Sequence, residues 1–236
     1  LIRRQRQMCI RDRFSWLAAQ CTSHQRALDI ACGSGQASRP LRQHFKQVLA
    51  SDACLKQVVA GKNYAGVQRF VAEAHAQPLP NHSLDLIVVA QALHWFATPA
   101  FFSEVRRLLK PGGVSCAWCY SLMRIDDELD ALIDDLYWNT LGGYWPAGRA
   151  SVDIGYSDID NPFTPCTPPA SAIESSWTLK HLLGYLRTWS AVQRYEQENA
   201  TDPVSQLLPE LQQIWGDAKQ PRFVRWPLHF LAGTPN

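Results

Sequence analysis

The sequence predicts an α/β fold, a mostly parallel sheet with helices on both faces. Three observations point there. Short β-type runs alternate with helical stretches through the first half. Those runs are near-continuously apolar, as strands buried on both faces must be. The first run leads into a Gly-containing turn that opens a helix, the order of a βα unit.

The elements follow in order. RALDIA (26–31) reads as a strand, then a turn and a helix near 36–45. QVLASD (47–52) is a second strand, with a helix near 54–61. VQRFVAEA (67–74) is a third, and LDLIVVAQ (84–91) is a fourth and the most apolar. A helix near 98–109 stops at Pro111-Gly112-Gly113, and GVSCAWC (113–119) is a fifth strand. Ile125, Leu129, Leu132, Ile133, Leu136 and Tyr137 share one helical face, and Asp126, Asp127 and Glu128 suit that helix's N-terminal end. Residues 150–175 are polar and Pro-rich, an irregular surface excursion. Leu179, Leu182, Leu183, Leu186, Trp189 and Val192 form a second amphipathic stripe. A helix near 203–216 and a strand FVRWPLHFLAG (223–233) close the chain. Pro227 in that strand requires an edge or a bulge.

With 236 residues, 46% hydrophobic and 19% charged, the chain suits one core and not a disordered or multidomain protein. The net charge of +2 is too weak to argue for nucleic acid. No apolar run is long enough to span a membrane. Residues 1–13, LIRRQRQMCIRDR, hold Arg3, Arg4, Arg6, Arg11 and Arg13 against Asp12. RRQRQMCIRD resembles one translated frame of the adapter used in transposase-based DNA library preparation, so residues 1–13 are read as non-native. Setting aside five of 23 Lys+Arg and one of 21 Asp+Glu leaves 18 against 20, a net of −2. Cys9 leaves with them. The other six cysteines are scattered in a chain too large to need disulfides, and a reducing cytoplasm is the expected location. Cys116 and Cys119 form a lone CxxC without a second ligand pair, which favours core packing on opposite strand faces over a metal site.

The chemistry-bearing string is ALDIACGSGQAS. Gly33 and Gly35 allow a tight turn and close ligand approach to the backbone. Ser38 stands where a dinucleotide loop wants a third Gly, and Asp29 precedes the turn, so a nicotinamide dehydrogenase is disfavoured. Asp29 can organise the loop and the amino end of a zwitterionic ligand. Asp52, ending the second strand, can accept from both ribose hydroxyls or cap a helix.

DIACGSG, Asp52, Glu73-Ala74 before QPLP, SLDLIVVAQALHWF and EVRRLLKPGG together resemble a class I S-adenosylmethionine-dependent methyltransferase. The chain is most similar to the type-11 methyltransferase domain and the trans-aconitate methyltransferase-like subgroup. The resemblance covers residues 14–120 well. It implies a Rossmann-like fold with a seven-stranded, mostly parallel sheet whose last strand is antiparallel. Residues 14–120 would be the cofactor-binding core, and 121–236 a helical insertion plus final strands completing the same domain. It implies S-adenosyl-L-methionine as cofactor and a small-molecule methyl acceptor as partner, with neither nucleic acid nor membrane. An N-terminal lid found in relatives would be missing before Phe14, which would weaken cofactor binding.

By the same resemblance, Asp29, Gly33, Ser34 and Gly35 wrap the methionine part. Asp52 holds the ribose, with Ala53 near the adenine. Glu73 takes the adenine amino group, and Ala74 offers its N–H to a ring nitrogen. Gln91 borders the sulfonium region. Two departures stand out. Ala31 replaces the usual first Gly, a change tolerable at negative φ, and His75 stands where many relatives carry an acid. His94 is the candidate catalytic residue, by substrate contact or general-base duty, against a structural hydrogen bond. Trp95, Tyr144 and Trp145 are candidates to line an apolar substrate pocket, against core packing. His44, His82 and His181 are expected on surface or helix faces. The competing function is a non-catalytic cofactor-binding module on the same fold.

Overall fold

A computed structural model describes residues 13–61 and 64–235. Residues 1–12, which carry most of the adapter-like stretch, lie outside the described residues. Arg13 is buried, with its guanidinium 5.2 Å from the Trp118 ring centroid.

The described chain forms two compact units. The larger holds the residues up to Ser121, Ser151–Ser171 and those from Leu228 onward. Its helices are α1 (13–20), α2 (Ser38–Leu41), α3 (Leu55–Ala60) and α4 (Pro99–Leu108). Its parallel strands are β1 (Arg26–Ile30), β2 (Gln47–Asp52), β3 (Val67–Val71), β4 (Leu84–Ala90) and β5 (Leu109–Tyr120). They lie in the order β3-β2-β1-β4-β5, all parallel. Sequence steps run outward from β1 in one direction and resume at β4 in the other. The sheet therefore has a topological switch between β1 and β4, the place where such sheets hold ligands beyond their carboxyl ends.

β4 is central and buried along nearly its whole length, as its unbroken apolar run predicts. Ile87, Val89, Phe101, Val105 and Leu108 belong to one buried cluster with Leu28, Ile30 and Leu49. Asp85 is the polar exception in β4. Its carboxylate takes the Gln25 and Arg26 N–H groups at 2.8 and 2.7 Å and Lys110 Nζ at 2.7 Å. Burial pushes this carboxyl up, but those three donors together outweigh it and hold it below the usual carboxylate range.

The smaller unit contains Leu122–Ala150 and Ala172–Pro227. It holds α5 (Asp127–Asp134), extended by a π-helical stretch over Asp135–Thr140, then β7 (Ala172–Trp177), α7 (Leu179–Leu186), α8 (Ser190–Asn199) and α9 (Pro203–Trp215). Asp126 caps α5 by accepting the Leu129 N–H at 3.1 Å, which places its acidic run as the sequence predicts. α6 (Arg149–Asp153), the short β6 (Thr164–Pro165) and β8 (Arg222–Thr234) complete the chain. β8 pairs antiparallel with β7 over Arg222–Pro227, then with β5 from Leu228 onward. Pro227 sits where β8 changes partner, a point that tolerates a residue without an N–H.

The fold class is as expected, a mostly parallel sheet with antiparallel last strands. There are eight strands among the described residues where seven were expected. β6 lies within, and β7 begins within, the stretch 150–175 that the sequence read as irregular. The single stripe expected over 179–192 breaks into α7 and α8 at Arg187–Trp189. Thr188 Oγ1 bonds back to the Tyr185 carbonyl at 2.6 Å there, competing with helix continuation. Cys116 and Cys119 are both buried, and burial pushes the Cys116 thiol up. No helix of the described residues is long and apolar enough to cross a membrane.

Candidate functional site

The loop after β1 turns sharply because three residues adopt positive φ: Ala31 (+54°), Gly33 (+50°) and Gly35 (+84°). The Cys32 N–H bonds the Ser51 carbonyl at 2.9 Å, and the Gly35 N–H bonds the Cys32 carbonyl at 2.8 Å. The negative φ at which Ala31 would be tolerable in place of glycine is therefore not what the loop adopts. The turn must close against β2, and that closure sets the backbone of Ala31 whatever its side chain. A left-handed Ala is strained by about 1–2 kcal/mol. Ala31→Gly is accordingly expected to stabilise the chain by about 0.5–1 kcal/mol once the extra chain entropy of Gly is deducted. Chemical denaturation checks this, and a fall in stability would contradict it.

Asp29, at the fourth position of β1, is fully buried. Its Oδ2 accepts from Ser38 Oγ at 2.5 Å, and its Oδ1 has no hydrogen-bond partner among the described residues. Burial pushes the carboxyl up to about 7, although Ser38 and the more distant Arg69 pull it down. Ser38, noted in the sequence only as a missing glycine, is thus the residue that holds Asp29.

Asp52, at the end of β2, accepts from two backbone N–H groups. Its Oδ2 accepts the Gly33 N–H at 2.9 Å, which fixes the loop. Its Oδ1 accepts the Cys54 N–H at 2.9 Å, which shapes the turn into α3 through Ala53. Arg69 of β3 clamps the same loop from the other side. Its Nη2 reaches the Gly33 carbonyl at 2.5 Å and the Gln57 carbonyl at 3.0 Å, and its Nε reaches the Val58 carbonyl at 3.0 Å. Gly35 sits at φ +84°, which favours glycine, and a Cβ there would lie 2.7 Å from Arg69 Nη1, which would have to shift. The outer side of Gly33 is open, with nothing within 4 Å of where a Cβ would stand. Ser34 is exposed at the tip.

Glu73 and Ala74 follow β3 on a loop that α4 pins. The buried Glu104 accepts the Gln77 N–H at 2.7 Å and pairs with Arg107, which also bonds the Leu79 and Gln77 carbonyls. Arg107 beside it holds the Glu104 carboxyl below the usual range. Gln77 Nε2 returns to the Glu73 carbonyl at 2.8 Å. Glu73 itself is exposed, and its carboxylate has no partner among the described residues. Gln91 directly follows β4 at φ +59°, and its Oε1 accepts the Tyr120 N–H at 2.9 Å.

The carboxyl edge of the sheet therefore gathers the ends of β1 to β4, carrying Asp29, the glycine loop, Asp52, Ala53, Glu73, Ala74 and Gln91. His94 and Trp95 follow β4 on a short 3-10 turn. Trp95 is 60% exposed and stacks at 4.9 Å from His94. Tyr144 and Trp145 belong to the smaller unit. The Trp145 ring lies 4.4 Å from Tyr137 and 5.6 Å from Trp189, and Tyr144 Oη accepts from Asn199 at 2.9 Å. Their described contacts are internal to that unit. His181 begins α7 in a capping box with Thr178, and His82 is exposed at φ +49°. Among the described residues, no three His, Cys, Asp or Glu side chains are placed to hold a metal ion.

Sheet order defines a doubly wound α/β protein with its topological switch between β1 and β4. The Methyltransferase domain family model matches residues 28–117, from β1 into β5. A curated relative, the “Putative methyltransferase” of Dictyostelium discoideum, is 33% identical over 190 residues, covering 79% of this chain and 71% of its own. A “Probable S-adenosylmethionine-dependent methyltransferase” of Saccharomyces cerevisiae is 21% identical over 75% of this chain and 72% of its own. The solved structure of “a Putative Type II Methyltransferase from Anaeromyxobacter dehalogenans” superposes with a TM-score of 0.90 at 38% identity, over 96% of this chain and 97% of that one. The chain belongs to the class I S-adenosylmethionine-dependent methyltransferases.

Proposed function

We propose that this chain transfers a methyl group from S-adenosyl-L-methionine to a small-molecule acceptor, a carboxylate or other oxygen nucleophile, in the manner of the trans-aconitate methyltransferase-like subgroup. One observation carries the cofactor assignment. Asp29 holds a buried, unpartnered carboxylate oxygen beneath a glycine loop whose open side is Gly33. A buried acceptor without a partner is costly unless a ligand or ion answers it. A cationic, zwitterionic ligand in the loop would do so, at least electrostatically.

On this reading Gly33, Ser34 and Gly35 present backbone to the methionine end, and Asp29 supplies negative charge below it. Asp52 keeps one lone pair on each oxygen for the ribose hydroxyls. Glu73 and the Ala74 N–H address the adenine, and Gln91 borders the reacting end. His94, with Trp95, stands beside the acceptor. S-adenosylmethionine, when bound, supplies a methyl group activated by a sulfonium. The protein's part is alignment and exclusion of water. A carboxylate acceptor is ionised at neutral pH, so no general base is demanded. The free thiols support a cytoplasmic setting.

A panel of small carboxylic acids and phenols, assayed for methyl transfer, tests the catalytic reading. Methylated product from at least one acid is expected. Cofactor binding without transfer to any acceptor would favour the non-catalytic module.

A further inference from the structure

We propose that Arg69 is a positioning residue of the cofactor loop, keeping the Asp29 carboxylate charged from across Ala50 and so setting how firmly the loop holds a cationic ligand end. The inference rests on the reading above, in which Asp29 supplies the negative charge below the ligand.

Strand register puts the two groups on one face of the sheet. Asp29 of β1 pairs with Ala50 of β2, and Ala50 pairs with Arg69 of β3. Laterally paired residues point the same way. Asp29 and Arg69 therefore flank Ala50, whose buried methyl is too short to screen one from the other. The guanidinium is held in place between two glycines. A Cβ on Gly61 would stand 2.1 Å from its Cζ, and one on Gly35 would stand 2.7 Å from its Nη1. Its Nε and Nη2 donate to the Val58, Gln57 and Gly33 carbonyls. Nη1 is buried without a hydrogen-bond partner among the described residues, as is Asp29 Oδ1. The two charges thus act on each other through space and not through a shared hydrogen bond.

An opposite charge favours the ionised carboxylate, and burial opposes it. Burial is the larger influence and raises the Asp29 carboxyl to about 7, Ser38 and Arg69 pull it down, and Asp52 pushes it up. The neighbouring elements offer no second cation. Val88, its partner on β4, is apolar. Burial pushes the Cys32 thiol up to about 12, so it stays neutral. Arg39 of α2 is exposed and lies 5.5 Å from the Tyr64 ring centroid. An arginine is charged at every pH where a carboxylate titrates. Affinity for a cation beside Asp29 then follows the ionised fraction of this carboxyl and rises with pH through its titration.

Carbon-13 NMR of the side-chain carboxyls tests this in the cofactor-free protein, with Asp29 assigned by its loss in Asp29→Asn. In Arg69→Gln, Asp29 is expected to titrate about one pH unit higher than in wild type, the effect of removing one nearby charge at an effective dielectric of about 20. Arg69→Lys keeps the charge and is expected to stay close to wild type. An unchanged midpoint in Arg69→Gln, or an equal rise in Arg69→Lys, would overturn the proposal. If Arg69→Gln folds poorly, the Arg69 guanidinium decides. Its nitrogen-15 signals are expected to follow the Asp29 midpoint in wild type and to stay flat in Asp29→Asn. Signals that stay flat in wild type, or move alike in both proteins, would overturn it. Binding adds a readout that loop shape alone would not move. Affinity of Arg69→Gln for S-adenosylhomocysteine is expected to trail wild type about fivefold further at pH 6.5 than at pH 8.5. A deficit equal at both pH values would reduce Arg69 to a loop brace and overturn the proposal. The NMR titration needs no cofactor, so absence of binding by every protein would count against the proposed function and not against this pairing.

Discussion

Asp29→Asn is expected to weaken S-adenosylmethionine binding about 100-fold while making the cofactor-free protein more stable at pH 8. The two effects have one cause. The Asp29 carboxyl is fully buried, and burial raises it from 3.8 to about 7. Below about pH 4, folded and unfolded chains both hold this proton. Between 4 and 7 the folded chain keeps a proton that the unfolded chain has lost, so stability falls as pH rises through that window. The full fall is on the order of 4 kcal/mol. Above 7 the folded carboxyl is ionised too, and the slope ends. Asparagine retains an acceptor for Ser38 and removes the buried charge. Its amide N–H groups lack an evident partner, which offsets part of the gain. The net expectation is about 2 kcal/mol in favour of the variant at pH 8, narrowing toward pH 5. The missing charge below the loop is also what a cationic ligand would lose, and charge-assisted interactions of about 2–3 kcal/mol correspond to the 100-fold figure. Denaturation at pH 5 and 8 with calorimetric binding checks both halves. A variant that binds as well as wild type, or is less stable at pH 8, would contradict them.

Asp52→Ala is the second large effect. The substitution frees the Gly33 and Cys54 N–H groups, now bonded at 2.9 Å each. Both lie in partly solvated surroundings, so the stability loss is expected to be about 1–2 kcal/mol. The larger expected loss is in binding, because the loop relaxes and the acceptors proposed for the ribose disappear together. About a 100-fold rise in the dissociation constant for S-adenosylmethionine is expected, two charge-assisted hydrogen bonds' worth. Asp52→Asn keeps one acceptor oxygen and should fall between the two. Equal affinities for wild type and Asp52→Ala would remove Asp52 from the site.

Much of the core was readable because its signals are local. The apolar runs over β1, β2, β4 and β5 and the Asp29–Gly35 string lie within short stretches whose pattern encodes burial and turning. Asp52 was readable from its place at the end of a run. What was missed depends on distant partners. Arg69 looks like an ordinary strand residue until its guanidinium is seen against Gly33, 36 residues away. Glu104 and Arg107 read as a helix face but brace the Glu73 loop, 27 and 30 residues from their partner Gln77. β7 has weak strand composition, AIESSW, and exists through its pairing with β8. Ala31 shows the reverse case. Its residue type argues for negative φ, and loop closure onto Ser51 overrides it.

The central claim is that the carboxyl edge at the β1/β4 switch holds S-adenosylmethionine. Titration calorimetry of the chain with S-adenosylmethionine, and separately with NADH, tests it most directly. The expected result is saturable binding of S-adenosylmethionine that Asp52→Ala abolishes or sharply weakens, and no binding of NADH. Absence of S-adenosylmethionine binding, or affinity for NADH in its place, would contradict the account.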